Sequence, residues 1–247
     1  MGLGIPQAIA YLHTTATQKG FNNKDLIIDG GFFMGNFSMN IAKSTPSVKF
    51  VGFEPNKELY THWINQYHNQ KSSQIHLENL ALGRLKETKN YFTSRDFPAT
   101  NSLLPRPKEN PKGLPYYPVG ATLEKTSKVQ TISLDEYCSD NNVDKIFLLK
   151  LDLQGGELDA LTGAQKLLKN NSIAAILAEA MFIRKYENQP LLKDLWSYVE
   201  RFGFRLHSLY DVQSGDYKNS SSLFRKNQLN QCDALFVSDE LATLLED

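Results

Sequence analysis

Apolar residues in this chain fall into two kinds of run. Short β-rich runs occur at Leu26 to Ile28, Lys49 to Phe53, Gln74 to Leu77, Phe147 to Leu151, Ala175 to Leu177, Phe204 to Ser208 and Ala234 to Val237, bounded mostly by turn or charged residues. Helical periods lie between them. That alternation is what parallel strands joined by crossover helices produce, so an α/β fold with a mostly parallel sheet is predicted. The clearest helix spans Gln189 to Phe202, with Pro190 in its first turn, Leu191, Leu192, Leu195, Trp196, Val199 and Phe202 at helical spacing, and Gly203 as a stop. A second is predicted from Glu157 to Lys169, with Leu158, Leu161 and Leu168 on one stripe. Glu157 in its first turn complements the helix dipole. Both stripes read as core.

Residues 1–23 read as an N-terminal helical segment, and with no internal repeat or linker the expectation is a single domain over 1–247. The periodicity stops between Asp96 and Gly120, where Pro98, Pro105, Pro107, Pro111, Pro115 and Pro118 gather. A proline-rich surface loop at 96–120 is predicted, either a substrate lid or a plain connection.

The segment Leu26-Ile-Ile-Asp-Gly-Gly-Phe-Phe-Met-Gly-Asn-Phe-Ser38 reads as a buried strand, an acid at its carboxyl end, a glycine turn and then a helix through about Ala42. Glycine serves where backbone turns sharply or a ligand approaches closely. The spacing Gly30, Gly31, Gly35 is not Gly-x-Gly-x-x-Gly, and Asp29 stands where a pyrophosphate needs donors. A carboxylate there repels phosphate but attracts the ammonium and sulfonium of S-adenosylmethionine. Twenty-five residues on, the strand Lys49-Phe-Val-Gly-Phe53 ends in Glu54-Pro55-Asn56, and an acid at that position accepts both hydrogens of a ribose diol. Nicotinamide cofactors use the same position, so Glu54 supports an adenosine ligand without choosing between the two.

Four segments resemble the FkbM-like methyltransferases, a class I S-adenosylmethionine-dependent family: Ile28-Asp-Gly-Gly…Gly35-Asn-Phe-Ser38, Phe53-Glu-Pro-Asn56, Asn79-Leu-Ala-Leu-Gly83, and Leu149-Lys-Leu-Asp-Leu-Gln-Gly-Gly-Glu-Leu-Asp-Ala-Leu-Thr-Gly-Ala164. The last is the most specific, because the family carries a Lys-x-Asp-x-Glu/Gln-Gly-x-Glu core followed by Leu-x-Gly-Ala. The resemblance implies a Rossmann-like, seven-stranded sheet of order 3-2-1-4-5-7-6 with helices on both faces and the last strand antiparallel. It also implies a cofactor across the carboxyl ends of the first, second and fourth strands. Asp29, Gly30, Gly31, Phe33, Gly35 and Asn36 would surround its methionine end, Glu54 and Pro55 its ribose, and Asn79, Leu80 and Ala81 its adenine, with Asp152 beside it. Where the family has Gly-Ala-Asn, this chain has Gly31-Phe32-Phe33. Those rings could pack beneath the loop, stack on the ligand or partly block the site, and the last option admits a non-catalytic relative.

Methyl transfer from a sulfonium needs positioning and exclusion of water more than covalent help, and a base only for an alcohol acceptor. Asp152 and Glu179, ending the fourth and fifth strands, are the first candidates for acceptor-side carboxylates, with Glu157 second. The plainer readings are a helix-dipole partner for Glu157 and a backbone-bonding role for Asp152. Ser102, Arg106 and Lys108 in the proline-rich loop are weaker acceptor candidates. No metal is predicted, since no His joins these acids and His62 and His68 are six residues apart. His207 reads as structural.

The 27 basic and 27 acidic residues cancel, which removes the general attraction expected of a nucleic-acid or membrane binder. Cys138 and Cys232 lack metal-ligand spacing and fit a reducing compartment. No apolar run approaches a bilayer span and no leader precedes the fold, so a cytoplasmic protein is expected. Met1-Gly2 begins like a myristoylation signal, but Pro6 replaces its Ser or Thr. The leading expectation is O-methylation of a hydroxyl on a sugar, glycan or secondary metabolite, a substrate class that the family implies. A nicotinamide-dependent oxidoreductase and a non-catalytic ligand-binding protein are the alternatives.

Overall fold

The structure, a computed structural model, describes residues 4–21, 25–67, 74–107, 124–214 and 228–246. The first helix, α1 (Ile5–Gln18), buries Ile9, Leu12, His13 and Ala16, one stripe at helical spacing, and turns His13 edge-on to Phe147 with ring centroids 4.9 Å apart. Then come β1 (Leu26–Asp29), α2 (Asn36–Ala42), β2 (Lys49–Phe53), α3 (Lys57–Tyr67), β3 (Ile75–Glu78), β4 (Ala81–Leu82), β5 (Glu87–Ser94) and β6 (Glu124–Ile132). The second half follows with α4 (Leu134–Asp140), β7 (Ile146–Leu151), α5 (Glu157–Thr162), α6 (Gln165–Lys169) and β8 (Ile173–Met181). It ends with α7 (Leu192–Glu200), β9 (Phe204–Ser214), β10 (Leu229–Ser238) and α8 (Asp239–Glu246).

Seven strands form one sheet in the order β3-β2-β1-β7-β8-β10-β9. Pairings from β3 to β8 are parallel, while β10 runs antiparallel to both neighbours. This is the expected arrangement, because the seven strands, counted in chain order, stand as 3-2-1-4-5-7-6. Successive side chains of a strand face opposite ways, and the inner strands, β7 and β8 above all, are apolar on both sides. Ile28, Phe53, Leu149, Leu151 and Ile176 pack with Tyr137, Leu161, Leu168, Leu195 and Val199 from α4 to α7. Ile27, Phe50, Leu148 and Leu177 pack on the other face with Ile9, Leu12, Ile41 and Leu241. Full burial of each such side chain contributes about 1.5–3 kcal/mol, so the two apolar layers hold the strand ends, and hence the site, in place.

The chain departs from the sequence expectation in three places. A second sheet, β4-β6-β5, adds three strands where none was predicted. The helix expected over Glu157 to Lys169 is two helices, because Gly163 lies against Gly83: a Cβ there would meet the Gly83 carbonyl oxygen at 2.2 Å. The Gly163 carbonyl accepts from Asp135 N, and the Asp135 carboxylate accepts from Lys166 N and Leu167 N, starting α6 afresh. Finally, α7 begins at Leu192, leaving Pro190 outside it, where the Asp194 side chain accepts from Leu191 N at 2.8 Å and caps the start.

The proline-rich stretch opens as expected after β5, with a tight 3-10 turn at Pro98–Thr100 and a bridge from Ser102 to Phe92. Its residues 108–120, Lys108 among them, lie outside the described residues, as does His68. Among the described residues, no helix is long and apolar enough to cross a membrane.

Candidate functional site

The carboxyl ends of β1, β2 and β7 open onto a cavity of about 660 Å³ including its mouth. Gly30, Gly31 and Phe33 line one side, Glu54, Pro55 and Leu59 a second, and Asp152, Leu153 and Gln154 a third. Ala81 and Leu82 form part of the floor, while Tyr91 and residues 98–103 form the wall opposite. Glu54 and Asp152 are the charged residues on this lining among the described residues.

The glycine turn is held from beneath by a residue that sequence reasoning left without a role, Lys150. In register, Asp29 of β1 pairs with Lys150 of β7. The Lys150 ammonium lies 3.0 Å from Asp29 Oδ1, 3.7 Å from Asp152 Oδ2, and donates to the Gly31 carbonyl at 2.8 Å. Burial works against its charge, but Asp29 and Asp152 outweigh burial and hold its pKa above the ordinary lysine range. Asp29 itself is fully buried and accepts from the Ser38 hydroxyl at 2.7 Å. It does not line the cavity, and its charge is already matched. The expectation that Asp29 attracts the ligand is therefore corrected: Asp29 anchors the turn, and the acids facing the cavity are Glu54 and Asp152.

Gly31 is required by proximity, since a Cβ would stand 2.0 Å from the Asp152 carbonyl oxygen. Gly35 is required twice over, by φ of +65° and by the Phe32 ring 2.7 Å from its absent Cβ. Phe32 is buried beneath the loop, edge-on to Trp63 at 5.7 Å, which decides one of the options left open by the paired aromatics. Phe33 lines the cavity with φ of 45°, a left-handed conformation unfavourable for an aromatic residue. Two hydrogen bonds hold it there: its N–H donates to Glu54 Oε2 at 2.9 Å, and its carbonyl accepts from the Trp63 indole at 2.8 Å. Gly35 and Asn36 cap and start α2 away from the cavity lining.

Glu54 is buried but reaches the cavity, and its second oxygen accepts from Asn56 N at 2.7 Å. Burial pushes its carboxyl up to about 7, against the two backbone N–H bonds that favour the anion. Asn79 does not line the cavity. Its amide donates to the Glu54 carbonyl at 2.9 Å and the Pro55 carbonyl at 3.3 Å, so it holds the strand end that presents Glu54. Leu80 packs against the core, and Ala81 alone of the trio lines the cavity.

On the acceptor side, Asp152 keeps a half-exposed side chain on the lining, with Oδ1 accepting from the Gln154 amide at 2.9 Å. Glu179 lies behind it, off the lining, accepting from Gln154 at 2.7 Å and from Gln231 at 3.2 Å. Burial, then the charges of Asp152 and Glu157, raise its pKa well above the carboxylate range. Glu157 is not available as a base. It is buried, and its Oε1 accepts from Leu153 N at 2.7 Å and Gly155 N at 3.2 Å, tying down the loop after β7. Ser102 and Arg106 are buried and internally bonded, Ser102 to the Gln154 carbonyl and Arg106 to Thr100; Ser102 is on the cavity lining and Arg106 is off it. His207 is exposed on β9, far along the chain from these strand ends. Cys138 and Cys232 are free and buried, their thiols pushed up to about 12 and about 11 by burial. Among the described residues, no group of three or more His, Cys, Asp or Glu is arranged to hold a metal ion.

The sequence profile of the methyltransferase FkbM domain matches residues 29–206, more than two thirds of the chain. The chain belongs to the FkbM methyltransferase family. The FkbM match begins at Asp29 and takes in the glycine turn, Glu54, Asn79 and the whole Lys150 to Glu157 loop, the elements that build the cavity. Among solved structures, the chain is similar to methyltransferase FkbM from Methylobacillus flagellatus KT, with 14% identity, 93% of this chain and 47% of that chain covered, and a TM-score of 0.51. It is also similar to the bifunctional kinase-methyltransferase WbdD, at 12% identity, 95% and 39% coverage and a TM-score of 0.48. A third is magnesium protoporphyrin IX methyltransferase from Synechocystis PCC 6803 with bound SAM, at 11% identity, 97% and 86% coverage and a TM-score of 0.44. The chain thus spans about half the length of the FkbM structure. No curated protein sequence matches it.

Proposed function

We propose that this FkbM-family chain is an S-adenosylmethionine-dependent O-methyltransferase acting on a hydroxyl of a sugar, glycan or secondary metabolite. The observation that carries the reading is the lining of the cavity: two acids, Glu54 and Asp152, and no Lys or Arg among the described residues. Such a lining disfavours the pyrophosphate of a dinucleotide and favours a ligand with an ammonium and a sulfonium. The chain's residues fit the sulfur nucleoside. Gly30 and Gly31 bring backbone to the cavity without side chains, Glu54 stands at the end of β2 where a ribose diol is held, and Ala81 and Leu82 give a flat apolar floor for a base.

When bound, S-adenosylmethionine supplies a methyl group open to in-line displacement. Phe33, Tyr91 and Leu103 exclude water around the reacting groups. Asp152, the acid with an exposed carboxylate, would face the sulfonium and, beside it, an acceptor hydroxyl, whose proton it would take up as the methyl passes to oxygen and S-adenosylhomocysteine leaves. An acceptor that is itself an anion meets no countercharge on this lining, which supports a neutral hydroxyl. Calorimetric titration of the full chain with S-adenosylmethionine, S-adenosylhomocysteine and NAD tests the reading. Saturable binding of both sulfur nucleosides and none of NAD is expected, and Glu54→Gln should weaken the nucleosides about tenfold or more through loss of a charge-assisted bond. Binding of NAD alone would overturn the reading.

A further inference from the structure

The carboxyl ends of β7 and β8 and the amino-terminal half of the antiparallel β10 bring Asp152, Glu179 and Asp233 together, with Glu179 and Asp233 directly paired in register. Their mutual repulsion shows in Asp233, which burial, then Asp152 and Asp211, push up to about 6. One side chain, Gln154, ties Asp152 and Glu179 together. Its Nε2 donates to Asp152 Oδ1 at 2.9 Å and to Glu179 Oε2 at 2.7 Å, using both hydrogens of the amide. The two carboxylates accept only, which turns the amide nitrogen toward them, and Gln154 Oε1 lies 3.0 Å from the buried Tyr186 hydroxyl, which also reaches the Thr100 carbonyl at 2.8 Å. Its carbonyl accepts from the Ser102 hydroxyl at 2.7 Å. Gln154 pays for this with a left-handed backbone, φ of 52°.

Resting on the cofactor reading above, we propose that Gln154 is a positioning residue for methyl transfer, acting through Asp152 by fixing that carboxylate against the cationic end of the sulfonium nucleoside. The two acids of the lining are not equivalent toward a cation. Both oxygens of Glu54 accept backbone N–H bonds, whereas Asp152 has one oxygen on Gln154 and a side chain that is 41% exposed. An ammonium stands near Asp152 Oδ2, that of Lys150 at 3.7 Å, but it is closer to Asp29 and the Gly31 carbonyl, and Lys185, the other cation in its field, interacts first with Glu179. Asp152 is therefore the acid that a ligand's positive charge meets, and Gln154 sets its direction. In this chain the tie between the two acids is an amide. A carboxylate at 154 removes both donors and adds a charge beside two others, and an apolar side chain leaves the two acids untied.

The test is a cycle of Gln154→Leu, Asp152→Asn and the double variant in the full chain, titrated with S-adenosylmethionine, which carries the sulfonium, and S-adenosylhomocysteine, which does not. In Gln154→Leu, affinity for S-adenosylmethionine should fall about three- to fivefold relative to S-adenosylhomocysteine, the size of a half-exposed ion pair. That change of ratio should vanish in the Asp152→Asn background. A merely structural role would weaken both nucleosides together and additively with Asp152→Asn, and that result overturns the proposal. Should Gln154→Leu not melt cooperatively, Tyr186→Phe decides, with a smaller shift in the same ratio expected and an unchanged ratio refuting it. Wild-type protein that binds neither nucleoside removes the cofactor reading and this role together; wild-type binding with no ratio change in the variants removes this role alone.

Discussion

The loop after β1 and the loop after β7 are built alike. Each carries a non-glycine residue in the left-handed region, Phe33 at φ 45° and Gln154 at φ 52°. Each is held by a buried glutamate accepting two backbone N–H bonds, and burial pushes both glutamates up to about 7. They differ in where that glutamate comes from. Glu54 belongs to the neighbouring strand β2 and faces the cavity, whereas Glu157 belongs to the helix following its own loop and faces inward. Shared hydrogen bonding and shared titration therefore do not mark a ligand-binding acid. Access does, and access follows from the strand order.

The strongest way to break this pairing of loops is Gly31→Ala. The new Cβ would meet the Asp152 carbonyl oxygen at 2.0 Å, and since that atom is backbone and cannot swing aside, the loops must part. A loss of about 3 kcal/mol or more in urea unfolding is expected, together with loss of nucleoside binding. An unchanged unfolding midpoint would show that the loops do not touch.

Glu157→Gln sharpens the contrast with Glu54. It should cost about 1–3 kcal/mol of stability by weakening the clamp on Leu153 and Gly155. Its pH dependence carries a sign. With Glu157 raised from 4.5 to about 7 in the fold, its proton is held more tightly there than in the unfolded chain. That contribution is complete below 4.5 and is lost as pH rises through about 7. Unfolding measured across this range should fall less steeply with pH in Glu157→Gln than in the wild type; parallel curves would place the titration elsewhere. The smallest effect is expected from Phe33→Asn, which suits a left-handed backbone and should stabilise the fold by about 0.5–1 kcal/mol. A loss of stability would mean that packing of the Phe33 ring outweighs the strain.

The inner strands were legible because strands buried on both faces write themselves as unbroken apolar runs, and the order of all seven followed from family resemblance. The small sheet was not, since β6, Glu124 to Ile132, is largely polar and exposed along most of its length. Of the residues that the resemblance places around a cofactor, Gly30, Gly31, Phe33, Glu54, Pro55, Ala81 and Asp152 line the cavity, while Asn79 bonds the Glu54 carbonyl from off the lining. Lys150 was visible as a letter of the Lys-x-Asp motif. Its function was not, because the register that sets it opposite Asp29 exists only once β1 and β7 pair. The charge of Asp29 was misjudged for the same reason: an acid's field depends on neighbours that sequence distance conceals.

The reach of Lys150 also bears on how the chain comes into being. Its contact with the Gly31 carbonyl joins residues 119 apart. During synthesis from the amino end, Asp29 and the glycine turn are made long before their counterion, and until β7 arrives the acid must stay hydrated rather than enter the core. Closure of that pair is a late, long-range event in assembly, so until β7 has been made the glycine turn lacks the ammonium that anchors it.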